Sequence, residues 1–73
     1  MNFDLKKLNK IHFFLNNRPS KQVLMAQVPA VGDVVRLDEG KYGRVCEIAW
    51  CLDETDSHFT RANVALKELE DGH

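Results

Sequence analysis

The stretch Val31-Gly32-Asp33-Val34-Val35-Arg36-Leu37-Asp38-Glu39-Gly40-Lys41-Tyr42-Gly43-Arg44-Val45-Cys46-Glu47-Ile48-Ala49-Trp50-Cys51-Leu52 reads as two β-strands joined by a tight turn. Two runs rich in β-branched and aromatic residues flank a polar, glycine-containing segment, which is the sequence signal of a β-hairpin. Alternation puts Val35 and Leu37 on one face of the first strand, with Val34 and Arg36 on the other. On the second strand Cys46, Ile48, Trp50 and Leu52 share a face that reads as an inner wall, and Val45, Glu47, Ala49 and Cys51 form a mixed one. Gly40 and Gly43 read as turn glycines, free to take φ > 0, and Asp38 can bond the backbone ahead of it. A helix here would carry both glycines in its middle.

Upstream, Pro29-Ala30-Val31-Gly32-Asp33 is a turn cluster, and Pro29 ends the preceding element near Val28. The apolar run Val23 to Met25, continuing to Val28, fits a buried strand or one helical turn after Ser20; the barrel drawn below takes it as a strand. Asn16 to Ser20 reads as a loop by composition. Residues 4–15 satisfy two templates. Leu5, Leu8, Ile11 and Leu15 recur at helical spacing, while Ile11, Phe13 and Leu15 also alternate as in a strand. A helix over 4–15 is the expectation, with Phe13 off its apolar stripe. Downstream, Asp53 to Ser57 is a charged loop and His58 to Arg61 a short strand. Asn63 to Leu69 closes the fold, and Glu70 to His73 is a tail.

Seventy-three residues make a single domain, 1–73, with a thin core, because a chain this short buries only about 60% of its unfolded surface. At 44% hydrophobic and 29% charged residues it is globular rather than disordered. No run is long enough to span a membrane, and the amino end lacks an export pattern, so a cytoplasmic location is expected. Cys46 and Cys51 lie on opposite faces of the proposed strand and read as buried free thiols. The net charge of −1 hides an asymmetry. Residues 1–28 set Lys6, Lys7, Lys10, Arg18 and Lys21 against Asp4 alone, whereas residues 29–73 set five cations against ten carboxylates.

Nothing in the sequence carries catalytic or metal chemistry. His12, His58 and His73 do not fall at zinc-ligand spacing with the cysteines, and Asp53, Glu54 and Asp56 lack the glycine and glutamate of a calcium loop. Gly40 and Gly43 make no phosphate loop, because no Lys-Ser/Thr follows them. No catalytic residue, metal or cofactor is therefore assigned. Trp50 reads as core on the inner face, or as a binding anchor if it stands at a barrel rim.

The order Val31-Gly32-Asp33-Val34-Val35-Arg36-Leu37, then Gly40-Lys41-Tyr42-Gly43-Arg44-Val45, then Val64-Ala65-Leu66-Lys67-Glu68-Leu69, resembles small SH3-like barrels. Its glycine-turn-glycine-x-Val part is similar to the KOW element of ribosomal and transcription-factor domains. That resemblance implies RNA or protein binding through loops, with Lys41, Tyr42 and Arg44 as contact residues on the turn. Gly32-Asp33-x-Val35-Arg36 and Val64-Ala65-Leu66-x-Glu68 are also similar to type II dihydrofolate reductases, small barrels active as tetramers. The active-site run of that family would fall on His58-Phe59-Thr60-Arg61, which does not match it, so the reductase activity does not carry over.

The expectation is thus a mainly β protein, an SH3-like barrel of about five strands with an amino-terminal helix or strand extension. Its expected role is that of a non-enzymatic binding module that self-associates or binds another protein. Ile11, Phe13 and Phe14 are its candidate interface, and Lys41, Tyr42, Arg44 and Trp50 its candidate binding residues. Nucleic-acid binding through the turn and the amino-terminal lysines is the alternative, and a small oligomeric enzyme comes third.

Overall fold

The centre of the sheet is its longest strand and the last in sequence, β5 (Phe59–Leu69). A computed structural model describes residues 8–70, with β1 (Leu8–Leu15), β2 (Arg18–Met25), β3 (Val34–Asp38) and β4 (Lys41–Trp50) ahead of it. A single 3-10 turn, Leu52–Glu54, links β4 to β5. The strand order is β2-β1-β5-β4-β3, and the sheet curls into a half-barrel. Two antiparallel hairpins, β1–β2 and β3–β4, share a backbone ladder only through β5, which runs parallel to β1 and antiparallel to β4.

The expected hairpin over residues 31–52 is present as β3 and β4. The helix expected over 4–15 is not: residues 8–15 are β1, and residues 4–7 lie outside the described residues. β1 is hydrogen-bonded on both sides, to β2 and to β5, and only extended backbone can serve two neighbours at once. The alternating template is the one realised, with Ile11, Phe13 and Leu15 inward.

The loop expected over Asn16–Ser20 shrinks to two residues. Asn16 (φ 50) and Asn17 (φ 67) both take the left-handed conformation, the geometry of a two-residue hairpin turn, which asparagine tolerates better than most residues. Arg18, Pro19 and Ser20 are then free to begin β2. Proline is admissible there because β2 is an edge strand and its missing N–H breaks no interior ladder. The expected strand through Val23 and Met25 is the rest of β2, and Val28, just beyond it, also packs on the core.

The core consists of Ile11, Phe13, Leu15, Leu37, Val45, Ala62, Val64 and Leu66, with Val23, Met25, Val28, Val35 and Ile48 packed around it. A bulge between Val45 and Glu47 changes which β4 residues face inward. Val45, assigned above to the mixed face, is 2% exposed, whereas Cys46 is exposed and Cys51 half-buried. The extra residue of a bulge shifts the alternation by one, so the inner set is Gly43, Val45 and Ile48. Gly43 is accordingly a strand glycine and not a turn residue. A Cβ built on it would stand 2.8 Å from Leu66 Cβ and 3.2 Å from Leu15 Cδ1. Glu39-Gly40 makes the turn, with Gly40 at φ 76.

The curl brings the two edge strands toward each other. Lys21 Nζ on β2 lies 3.4 Å from Asp38 Oδ1 on β3, with no backbone ladder between those strands. Both side chains are largely solvated, so the pair adds little stability. No helix among the described residues is long and apolar enough to cross a membrane.

Candidate nucleic-acid interface

The residues singled out in sequence do not form one site. Ile11 and Phe13 are 0% and 3% exposed, so their side chains are used by the chain's own interior, and only Phe14 retains surface. Trp50 is not core: it is 48% exposed at the far end of β4, and Leu52 just beyond it is 74% exposed. By register Trp50 pairs with Ala62, so it shares the inner face but stands at the rim, where no further strand covers it. Lys41 sits beside the β3–β4 turn, and Tyr42 and Arg44 lie within the strand rather than on the turn. Lys41 and Trp50 are separated by nearly the whole of β4, about 30 Å at the usual rise per residue.

What the fold does assemble is the outer face of the sheet. Along β5, Ala62, Val64 and Leu66 face the core, so Phe59, Arg61, Asn63, Ala65, Lys67 and Leu69 face outward. The register then fixes their neighbours. β1 places Leu8 beside Phe59, Lys10 beside Arg61, His12 beside Asn63 and Phe14 beside Ala65. β4 places Glu47 beside Ala65, Arg44 beside Lys67 and Tyr42 beside Leu69. Beyond β4, Arg36 of β3 pairs with Tyr42.

Two of these rungs set like charges directly opposite each other, Lys10 with Arg61 and Arg44 with Lys67. Such pairs destabilise a sheet. Among the described residues the carboxylates lie in turns, loops and near strand ends, apart from Glu47 on the outer face. The face is therefore cationic although the chain as a whole carries −1.

Its centre is a polar network. Arg61 Nη1 donates to Glu54 Oε1 at 2.9 Å, which ties the 3-10 turn to β5, and Arg61 Nη2 lies 3.4 Å from His12 Nδ1. A guanidinium only donates, so a hydrogen bond here is made with the tautomer of His12 whose Nδ1 is unprotonated. Desolvation by burial lowers the pKa of His12, the Arg61 and Lys10 charges lower it further, and Glu54 opposes them. His12 Nε2, Arg61 Nε and Asn63 Oδ1 are shielded from solvent without a hydrogen-bond partner among the described residues. On the next cationic rung, Arg44 donates one hydrogen bond to Gly32 O at 2.9 Å and keeps further donors for another ligand.

The loop ahead of this face is held by Asp56, whose Oδ1 accepts from the backbone N–H of His58 at 2.7 Å and of Phe59 at 2.8 Å. That turn lies immediately ahead of β5. No group of three or more His, Cys, Asp or Glu side chains is placed to hold a metal ion among the described residues. Sequence reading missed His12, Arg61 and Lys67. The available signal was the alternation of polar Arg61, Asn63 and Lys67 with apolar Ala62, Val64 and Leu66; their partners on β1 and β4 depend on a register that no local pattern encodes.

Comparison with known proteins finds no family model, no curated protein and no solved structure that matches the chain.

Proposed function

We propose that the protein is a small non-enzymatic binding module, built on an SH3-like barrel, whose outer sheet face takes nucleic acid. One observation carries this reading: the two like-charged pairs, Lys10–Arg61 and Arg44–Lys67, stand on one face. Glu54 offsets the charge of Arg61, but at the antiparallel Arg44–Lys67 rung a fold that needed only stability would gain from an opposite charge. A polyphosphate chain turns such a row of cations into contacts, because each cation that meets a phosphate releases a counterion. The five-strand curled sheet supports the SH3-like scaffold, and the location of the cations moves the contact surface from the turn to the strands.

The test is binding of a labelled mixed-sequence oligonucleotide across a salt series. With four cations engaged, log K should fall against log[salt] with a slope of about −3. Replacing both Lys10 and Lys67 by Gln should roughly halve that slope. An absence of binding even at low salt, or affinity indifferent to salt, overturns the reading.

Self-association has a separate support, the neighbouring exposed Trp50 and Leu52 at the end of β4. Tryptophan at an open rim is the residue type most often found as an interface anchor. Light scattering at low micromolar concentration should give a multiple of the 8.4 kDa chain mass, reverting to one chain in the variant carrying Trp50→Ala and Leu52→Ser. A monomer at every concentration dismisses it.

A further inference from the structure

We propose that the nucleic acid is single-stranded and lies lengthwise along β5, with its bases on Phe59, Phe14 and Tyr42 and its phosphates on the cationic rungs between them. This inference rests on the binding reading above and adds the class of ligand. Successive outward positions on β5 are two residues apart, so rungs recur about every 6.6 Å. In order they present Leu8 with Phe59; Lys10 with Arg61; His12 and Ala49 with Asn63; Phe14 and the carboxylate of Glu47 with Ala65; Arg44 with Lys67; and Tyr42 with Leu69. Aromatic and cationic rungs thus succeed one another along β5, with side chains drawn from β1, β5 and β4, a hydrogen-bonding rung at the third place and one carboxylate, Glu47, at the fourth.

Phe14, Tyr42 and Phe59 are each half-buried, held by the sheet while keeping part of their surface uncovered. His58 also meets Phe59 edge to face, with ring centroids 6.4 Å apart. An unpaired strand offers base faces to such rings, whereas in a duplex the base faces are stacked inside and out of reach. The sheet is also too wide to enter a duplex groove. Five strands at about 4.8 Å spacing span about 19 Å from first to last, against a major groove of about 12 Å. A duplex would touch this face only through its phosphates and leave the aromatic rungs idle.

The experiment compares four probes at low salt by fluorescence anisotropy or by competition: a short mixed-sequence single-stranded DNA, the same sequence as RNA, the corresponding duplex, and heparin. A single strand of abasic sugar-phosphate is the control that needs no protein variant. Either single strand should bind about tenfold or more tightly than the duplex, heparin or the abasic strand, as expected from stacking of one or more bases. The DNA and RNA arms identify which of the two is preferred.

Tyr42→Ala and Phe59→Ala should each weaken single-strand binding about tenfold while heparin binding holds, and Tyr42→Phe should restore it. Equal affinity for single strand, duplex and abasic strand overturns the single-strand inference and leaves the polyanion reading standing. Failure of every probe to bind overturns both.

Discussion

Gly43 on β4 and Leu66 on β5 approach so closely that a methyl group on Gly43 would stand 2.8 Å from Leu66 Cβ. Leu66 is 3% exposed, and Leu15 Cδ1 closes the same space at 3.2 Å, so the inner side of the sheet is filled at this point by neighbours and not by Gly43 itself. Gly43→Ala should therefore destabilise by about 1–3 kcal/mol, the usual cost of overpacking a core. Urea unfolding followed by tryptophan fluorescence measures it, and an unchanged midpoint would mean that β4 and β5 can separate without loss. Gly40→Asn, by contrast, should cost less than Gly40→Ala. The site has open space around it, and asparagine accepts the φ of 76 found there.

Lys67→Glu separates stability from binding. The variant places an opposite charge beside Arg44 and should raise stability by about 0.2–1 kcal/mol at low salt. On the proposed binding the same change removes a phosphate contact and adds repulsion, so oligonucleotide affinity should fall. Paired urea and anisotropy measurements check both signs; a variant that loses stability and keeps affinity would contradict the role given to this rung.

His12 makes stability depend on pH in a defined direction. Its pKa in the folded chain lies below the ordinary histidine value of 6.5, chiefly through burial and then through Arg61 and Lys10. The unfolded chain accepts a proton at a pH where the folded chain still refuses it. Its contribution is thus fully present above 6.5 and declines as the pH falls below 6.5, levelling off once the folded-state value is passed. Urea midpoints for the wild type and His12→Gln at pH 7.5 and 5.5 should show the larger acid-induced drop in the wild type. Equal drops would mean that other groups govern the pH response.

Glu54 competes with any anion for Arg61, to which it is joined at 2.9 Å with its own side chain half exposed. Glu54→Gln should strengthen oligonucleotide binding several-fold, because a carboxylate that repels phosphate is removed and Arg61 no longer shares its donors with it. The stability change should be small, since partly solvated ion pairs contribute about 0–1 kcal/mol. Unchanged affinity would place Arg61 outside the contact.

The legibility of this fold follows the range of the interactions that decide each part. β3 and β4 were readable because their strands, the Glu39-Gly40 turn and their alternation lie within twenty residues. β1 was not, since Leu5, Leu8, Ile11 and Leu15 satisfy a helix while Ile11, Phe13 and Leu15 satisfy a strand. The arbiter was pairing with residues 59–66, about fifty positions away. The Asn16-Asn17 turn was legible in kind but not in extent, because Pro19 looks like a loop residue until β2 is known to be an edge. Val45 and Cys46 were misplaced by a single inserted residue in β4, a shift that composition does not mark, and Trp50, on the expected face, is left exposed because it stands at the rim. The outer face fared worst: Arg44 was singled out for a turn it does not occupy, and its neighbour Lys67 became visible only with the register.

With β5 at the centre of the sheet, the two hairpins have no common ladder until the final strand exists. During synthesis the chain can form them as separate ribbons, each with one greasy side and no partner for it. The interior assembles only when residues 59–69 clear the ribosome and slot between them. Maturation should thus be abrupt and late, and a nascent chain halted ahead of residue 59 should be a product that proteases and chaperones treat as unfolded.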